Sequence, residues 1–124
     1  LPLENMESFI NKSLIEIKEI NKLLRVNCFG HMGDGNLHFN IFPPHGEKNT
    51  SYLKIKSKLT DIINNNCKSL DGSISAEHGV GRLKVKDLNQ YCDPGKFNVM
   101  WQIKKALDPF AILNPGVIIS QDKN

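Results

Sequence analysis

The sequence predicts an α+β fold, a small antiparallel sheet covered on one face by helices, and three observations carry that reading. Apolar residues recur at helical spacing in two long stretches, around 3–24 and 52–70. Between them lies a strand-like run, 25–42, broken once by Met32-Gly33-Asp34-Gly35-Asn36. A further short strand-like segment, "SISAE" at 73–77, follows the turn signal Asp71-Gly72.

The first helix is expected over about 3–21, with Met6, Phe9, Ile10, Leu14, Ile17, Ile20 and Leu24 along one stripe. Strands at 25–31 and 37–42 follow, joined by a polar loop whose glycines and Asx residues readily take positive φ. Pro43-Pro44-His45-Gly46 stops the sheet, and His45 reads as a solvated loop residue. Tyr52, Ile55, Leu59, Ile62, Ile63, Cys67 and Leu70 then restore helical spacing over about 50–69. After the 73–77 strand, "HGVGR" leads into a short helix near 81–89. Asp93 is placed to cap a last helix with Pro94 at its first position, and Phe97, Met100, Trp101, Ile103 and Leu107 form a stripe expected to be core. Asp108-Pro109 ends it, and "ILNPGVI" closes as an extended tail.

At 124 residues the chain is one domain, small for an enzyme that must also house a large cofactor. A net charge of +3 is too mild to argue for a nucleic-acid surface, and Lys12, Lys18 and Lys22, with Lys54, Lys56 and Lys58, recur on what read as solvated helix faces. Three cysteines without a CxxC spacing indicate neither a disulfide framework nor a cysteine zinc site, which fits a reducing compartment. There is no apolar run of about 18 residues and no charged-then-apolar leader, so nothing here reads as a transmembrane or secretory segment. A start at Leu1 is compatible with a piece of a longer protein.

Chemistry concentrates in "FGHMGDGNLHFNIF", residues 29–42. Pairing His31 with His38 sets Phe29 opposite Asn40 and Asn27 opposite Phe42. Period-two alternation then puts all six on one face and leaves Val26, Cys28, Leu37, Phe39 and Ile41 as a purely apolar one. Directly opposed residues have Cβ atoms about 4.5–5.5 Å apart, within reach of one metal ion, yet a half-polar hairpin face without a ligand is also common. "SISAEHGVG" adds Glu77 and His78 beside glycines, either as an exposed strand end or as further ligands. Adjacent residues of a strand point to opposite faces, so these two share a pocket only if Gly79 bends the chain. Two histidines and a carboxylate leave coordination positions open, a set suited to Zn²⁺, Mn²⁺ or Fe²⁺.

"GHMGDGNLHFNI", "DGSISAEHGVGRLK" and "LDPFAILNPGVI" resemble, in order, three motifs of the C-terminal domain of FAD-linked oxidases of the vanillyl-alcohol oxidase superfamily. The similarity is to its D-2-hydroxyacid dehydrogenases: D-lactate dehydrogenase, the glycolate oxidase flavin subunit and D-2-hydroxyglutarate dehydrogenase. It implies that residues 1–124 are a substrate- and metal-binding domain, part of a ferredoxin-like cap, in an enzyme oxidising a D-2-hydroxy acid with hydride transfer to FAD. By position it implies His31, His38 and Glu77 as ligands of a divalent metal, Zn or Mn, and His78 as general base. It further implies Asn40 as a substrate contact. Arg82 and Lys84 follow the "HGVG" turn at an expected helix N-terminus, a place suited to anions, and read either as cofactor or substrate contacts or as plain surface residues, with Asn114 a further candidate for cofactor binding.

The FAD-binding domain would lie upstream, since no glycine-rich pyrophosphate loop occurs in this chain, and the chain by itself would be inactive. The implied partners are a small 2-hydroxy acid, that upstream domain and an electron acceptor. The implied location is the cytoplasm, a membrane periphery or, in a eukaryote, the mitochondrion. Val117 stands where the family's "NPGK" carries lysine. Two other readings compete: a non-catalytic metal-binding or assembly module lacking its flavin domain, and a hydrolase or iron oxygenase, which the "NPG" ending does not fit.

Overall fold

The computed structural model describes residues 1–47 and 49–119. The chain divides into two compact units, Leu1–Ser73 and Ile74–Asn124. The fold class is α+β, with four α-helices and one two-stranded antiparallel sheet among the described residues.

In the first unit a 3₁₀ turn, Leu3–Asn5, leads into α1 (Met6–Ile20), with β1 (Arg25–His31), β2 (Asn36–Phe42) and α2 (Asn49–Ser69) following. Helix α1 stops where Asn21 becomes extended (φ −157°) and its side-chain oxygen accepts the Leu23 amide at 2.9 Å. The expected apolar face of the hairpin is the covered one: Val26, Phe39 and Ile41 pack on a core of Ile17, Leu24 and Leu59, joined by Ile20, Tyr52, Ile55 and Ile63. Phe9 meets Phe39 edge to face at 5.7 Å. Where α1 passes α2, the sequence offers a serine rather than a large apolar residue. Ser13 is fully buried, and Asn66 donates to its hydroxyl at 3.2 Å and to Glu16 Oε2 at 3.1 Å.

Helix α2 ends in a Schellman motif. The left-handed residue is Asp71 (φ 56°), and the Gly72 amide donates back to Cys67 O at 2.8 Å. Gly72 is there for space, since a Cβ would lie 2.6 Å from Cys67 Sγ.

The second unit contains α3 (Val85–Tyr91) and α4 (Pro94–Leu107). Three expectations are corrected here. No strand forms at 73–77: the Ile74 carbonyl accepts Lys84 Nζ (3.2 Å) and the Ala76 carbonyl closes a turn, so neither is offered to a ladder. The helix expected near 81–89 begins only at Val85, because Gly81 is left-handed (φ 55°) and residues 81–84 form turns. Helix α4 starts as expected, with Asp93 Oδ1 accepting the Lys96 amide at 2.8 Å, but its stripe is not core. Phe97, Met100 and Trp101 are half-buried, and Ile103 and Leu107 are exposed.

Cys28, Cys67 and Cys92 are free thiols, and burial pushes Cys28 and Cys67 above the ordinary thiol range. No helix among the described residues is long and apolar enough to cross a membrane.

Candidate metal and proton-transfer site

The hairpin loop is tighter than the sequence suggests. Met32–Asp34 make one 3₁₀ turn, closed by the Gly35 amide donating to Met32 O at 3.2 Å, with Gly35 left-handed at φ 64°. A side chain there would be strained, so the glycine sets the turn. Asn36 therefore joins the ladder and the register shifts by two: His31 pairs with Asn36 and Phe29 with His38, correcting the expected His31–His38 pairing.

A shift of two preserves side-chain parity. His31, His38, Asn40, Asn27 and Phe29 still share the face opposite the packed one. His31 and His38 become diagonal neighbours, for which separations of about 7–8 Å or somewhat less are usual, still spanned by two imidazoles converging on one ion. His38 is half-buried and His31 exposed. The new register gives His38 a fixed companion, Phe29, with ring planes 4° apart and centroids separated by 4.9 Å.

In the second unit the Gly79 amide donates to Ala76 O at 3.1 Å, closing a turn with Glu77 and His78 at its two corners. Gly79 has φ 65°, and a Cβ there would meet nothing within 4 Å, so the glycine is required by conformation, not by crowding. The bend that the adjacent pair needed is present: His78 Nε2 lies 3.3 Å from Glu77 Oε1, and both side chains are open to solvent. This places an imidazole and a carboxylate side by side in an irregular loop, the kind of segment where functional groups concentrate.

Arg82 Nη1 donates to Pro115 O at 2.9 Å, Lys84 Nζ to Ile74 O, and Asn114 is exposed with a left-handed backbone (φ 45°). His45 is exposed in its loop, 3.4 Å from Arg25 Nη1. Val117 is half-buried and its amide donates to Asn114 O at 3.1 Å.

Residues 1–118 match the family described as FAD linked oxidases, C-terminal domain. The chain belongs to that family. Among its relatives, D-2-hydroxyglutarate dehydrogenase of Xanthomonas citri pv. viticola is 39% identical over 88 residues, 71% of this chain and 19% of that protein. The mitochondrial D-lactate dehydrogenase [cytochrome] of Arabidopsis thaliana is 34% identical over 120 residues, 96% of this chain and 20% of that protein. D-lactate dehydrogenase of Archaeoglobus fulgidus is 38% identical over 91 residues, 73% and 19% respectively. The chain thus spans about a fifth of the length of these relatives.

Two features of this FAD-linked oxidase domain escape the sequence reading. Phe29 follows from the register alone, which loop length decides. Asp108 reads as a helix stop, yet it is buried (6% exposed) and accepts from Lys104 Nζ (2.6 Å) and from the Ile112 and Leu113 amides (3.0 Å each). The Lys104 hydrogen bond above all, aided by those two amides against the opposing effect of burial, holds its carboxyl below the usual range. Its signal in the sequence is only an i,i+4 Lys–Asp pair followed by Pro109.

Proposed function

We propose that this chain is the metal- and proton-handling part of a flavin-dependent dehydrogenase that oxidises a D-2-hydroxy acid, of the lactate, glycolate or 2-hydroxyglutarate type, to the 2-oxo acid. The observation that carries the reading is the Glu77–His78 turn, where a base and a carboxylate sit at adjacent corners. The hairpin face presenting His31, His38 and Asn40, and relatives named for D-lactate and D-2-hydroxyglutarate, support it.

Imidazole nitrogens and a carboxylate suit a borderline divalent ion, so His31, His38 and Glu77 are assigned as its ligands, with Zn²⁺ or Mn²⁺ preferred. Bound there, such an ion would supply Lewis acidity toward a coordinated substrate hydroxyl, and a bound flavin would supply the hydride acceptor for C2. His78 takes the hydroxyl proton, a step for which an imidazole is the most common side-chain base. Asn40 orients the substrate from the same sheet face as the histidines. Arg82, Lys84 and Asn114 are the residues of this chain assigned toward the flavin.

Titration calorimetry of the chain with Zn²⁺ and Mn²⁺, against a His31→Ala/His38→Ala variant, tests the ligand assignment; equal heats overturn it. Without a flavin the chain should be colourless and reduce no dye with D-lactate or D-2-hydroxyglutarate. Joined to its flavin-binding part, it should turn over, and His78→Ala should lower the turnover number by about a hundredfold or more. Unchanged turnover refutes the assignment of His78 as base.

A further inference from the structure

The Glu77–His78 turn is held by a part of the chain of which the proposed chemistry uses only Asn114. Residues 108–118 form a strap, anchored at its start by Asp108, which gathers Lys104 Nζ and the Ile112 and Leu113 amides; Lys104 Nζ also donates to Leu113 O at 2.6 Å. Farther along, the strap is tied twice to the segment that follows His78: Arg82 Nη1 donates to Pro115 O and the Ile118 amide to Gly81 O, both at 2.9 Å. Three non-glycine residues of the strap are left-handed, Ala111 (φ 52°), Asn114 (φ 45°) and the β-branched Ile118 (φ 65°). Such conformations persist only where surrounding contacts over-determine them. Across the turn, Lys84 Nζ closes the loop on Ile74 O at 3.2 Å. The turn ends on one left-handed glycine, Gly79, and a second, Gly81, follows two residues on, so the segment has little stiffness of its own.

We propose that Arg82 and Asp108 are positioning residues: through the strap they fix the turn that presents Glu77 and His78. This deepens the functional reading above and rests on it for the importance of the turn. Arg82→Ala removes one tie at an exposed position and leaves the buried anchor intact, so it tests the brace without threatening the fold. Hydrogen exchange and two-dimensional NMR of the 124-residue chain are the measurements.

Arg82→Ala should speed exchange of the Gly79 and Ile118 amides by about two- to tenfold, the scale of one hydrogen bond, and shift or broaden the His78 ring signals. Amides of α1 and α2 should be unmoved. Arg82→Lys, which retains a donor for a single carbonyl, should restore both readouts, whereas a general loss of stability would not be rescued in this way. Asp108→Asn, which loses an acceptor oxygen, should give the same signature from the other end. Wild-type exchange at Gly79 and Ile118 with unmoved His78 signals in Arg82→Ala overturns the brace. That outcome is separable from failure of the catalytic reading, which shows as undiminished turnover of His78→Ala.

Discussion

Phe29 is the residue through which the hairpin register reaches the site. Its ring lies flat against His38, with 4° between planes and 4.9 Å between centroids, and this contact exists only because Phe29 faces His38 in the ladder. Aromatic pairs of this kind contribute about 0.5–1.5 kcal/mol beyond area burial, and here the contact also limits the rotamers open to a proposed ligand that is only half-buried. Phe29→Ala should therefore free the His38 ring and weaken Zn²⁺ binding by about two- to tenfold, measured by titration calorimetry. Phe29→Tyr, which keeps the ring, should bind as wild type. Phe29 is half-exposed, so the loss of core packing is small and a melting curve close to wild type is expected as the control. With the pairing that the loop sequence suggests, Phe29 would face Asn40 and be only a diagonal neighbour of His38, and its truncation would affect that ring less. Wild-type affinity in Phe29→Ala, or tighter binding, would refute the orienting role.

Asn66→Ala should cost about 2–4 kcal/mol by urea denaturation, since it removes a donor to Glu16 and strands the fully buried Ser13 hydroxyl, and Ser13→Ala/Asn66→Ala should cost less than the sum of the single changes. Gly79→Ala should lose about 1–2 kcal/mol through its left-handed backbone alone, while Gly33→Ala, with open space and no such φ, should be nearly neutral; thermal melts of both compare the two. Asp108 has a folded-state pKa below its unfolded value, so its stabilisation is complete above a pH of about 4 and is lost as the pH falls through the lower folded value. Melting curves across that range should show the wild type converging on Asp108→Asn in acid; a constant gap down to a pH of about 2 would contradict the assigned pairing.

What the sequence shows well is parity and period. Helix α1, the hairpin and α2 were each legible, because a buried stripe or an alternating face imposes a spacing that survives errors in the loop between elements. The shared face of His31 and His38 was legible for the same reason, since it depends on whether separations along the ladder are even and not on which residues pair. Pairing itself depends on how many loop residues fold into the turn, and two glycines with an aspartate and an asparagine leave that number open. The 73–77 segment failed differently. Ser73, Ile74, Ser75 and Ala76 offer alternation with a single large apolar side chain, and a strand exists only with a ladder partner, which no local pattern supplies.

Helix α4 shows the same limit at the level of packing. Its stripe records a preference for burial and names no partner, so Ile103 and Leu107 can satisfy the periodicity of a core helix and still be 54% and 76% exposed. The candidate site divides along this line. Glu77 and His78 could be drawn together from the sequence because one glycine supplies the bend, a local rule. Asp108 could not be singled out, because its role arises from amides four and five residues onward returning to one carboxylate, and from a strap whose far end meets Arg82 at a separation of 33 residues. Contacts of that range are written in the fold, and it is there, at Arg82 and Asp108 rather than at the histidines, that a change leaving every proposed ligand in place should still loosen the turn to which the chemistry is assigned.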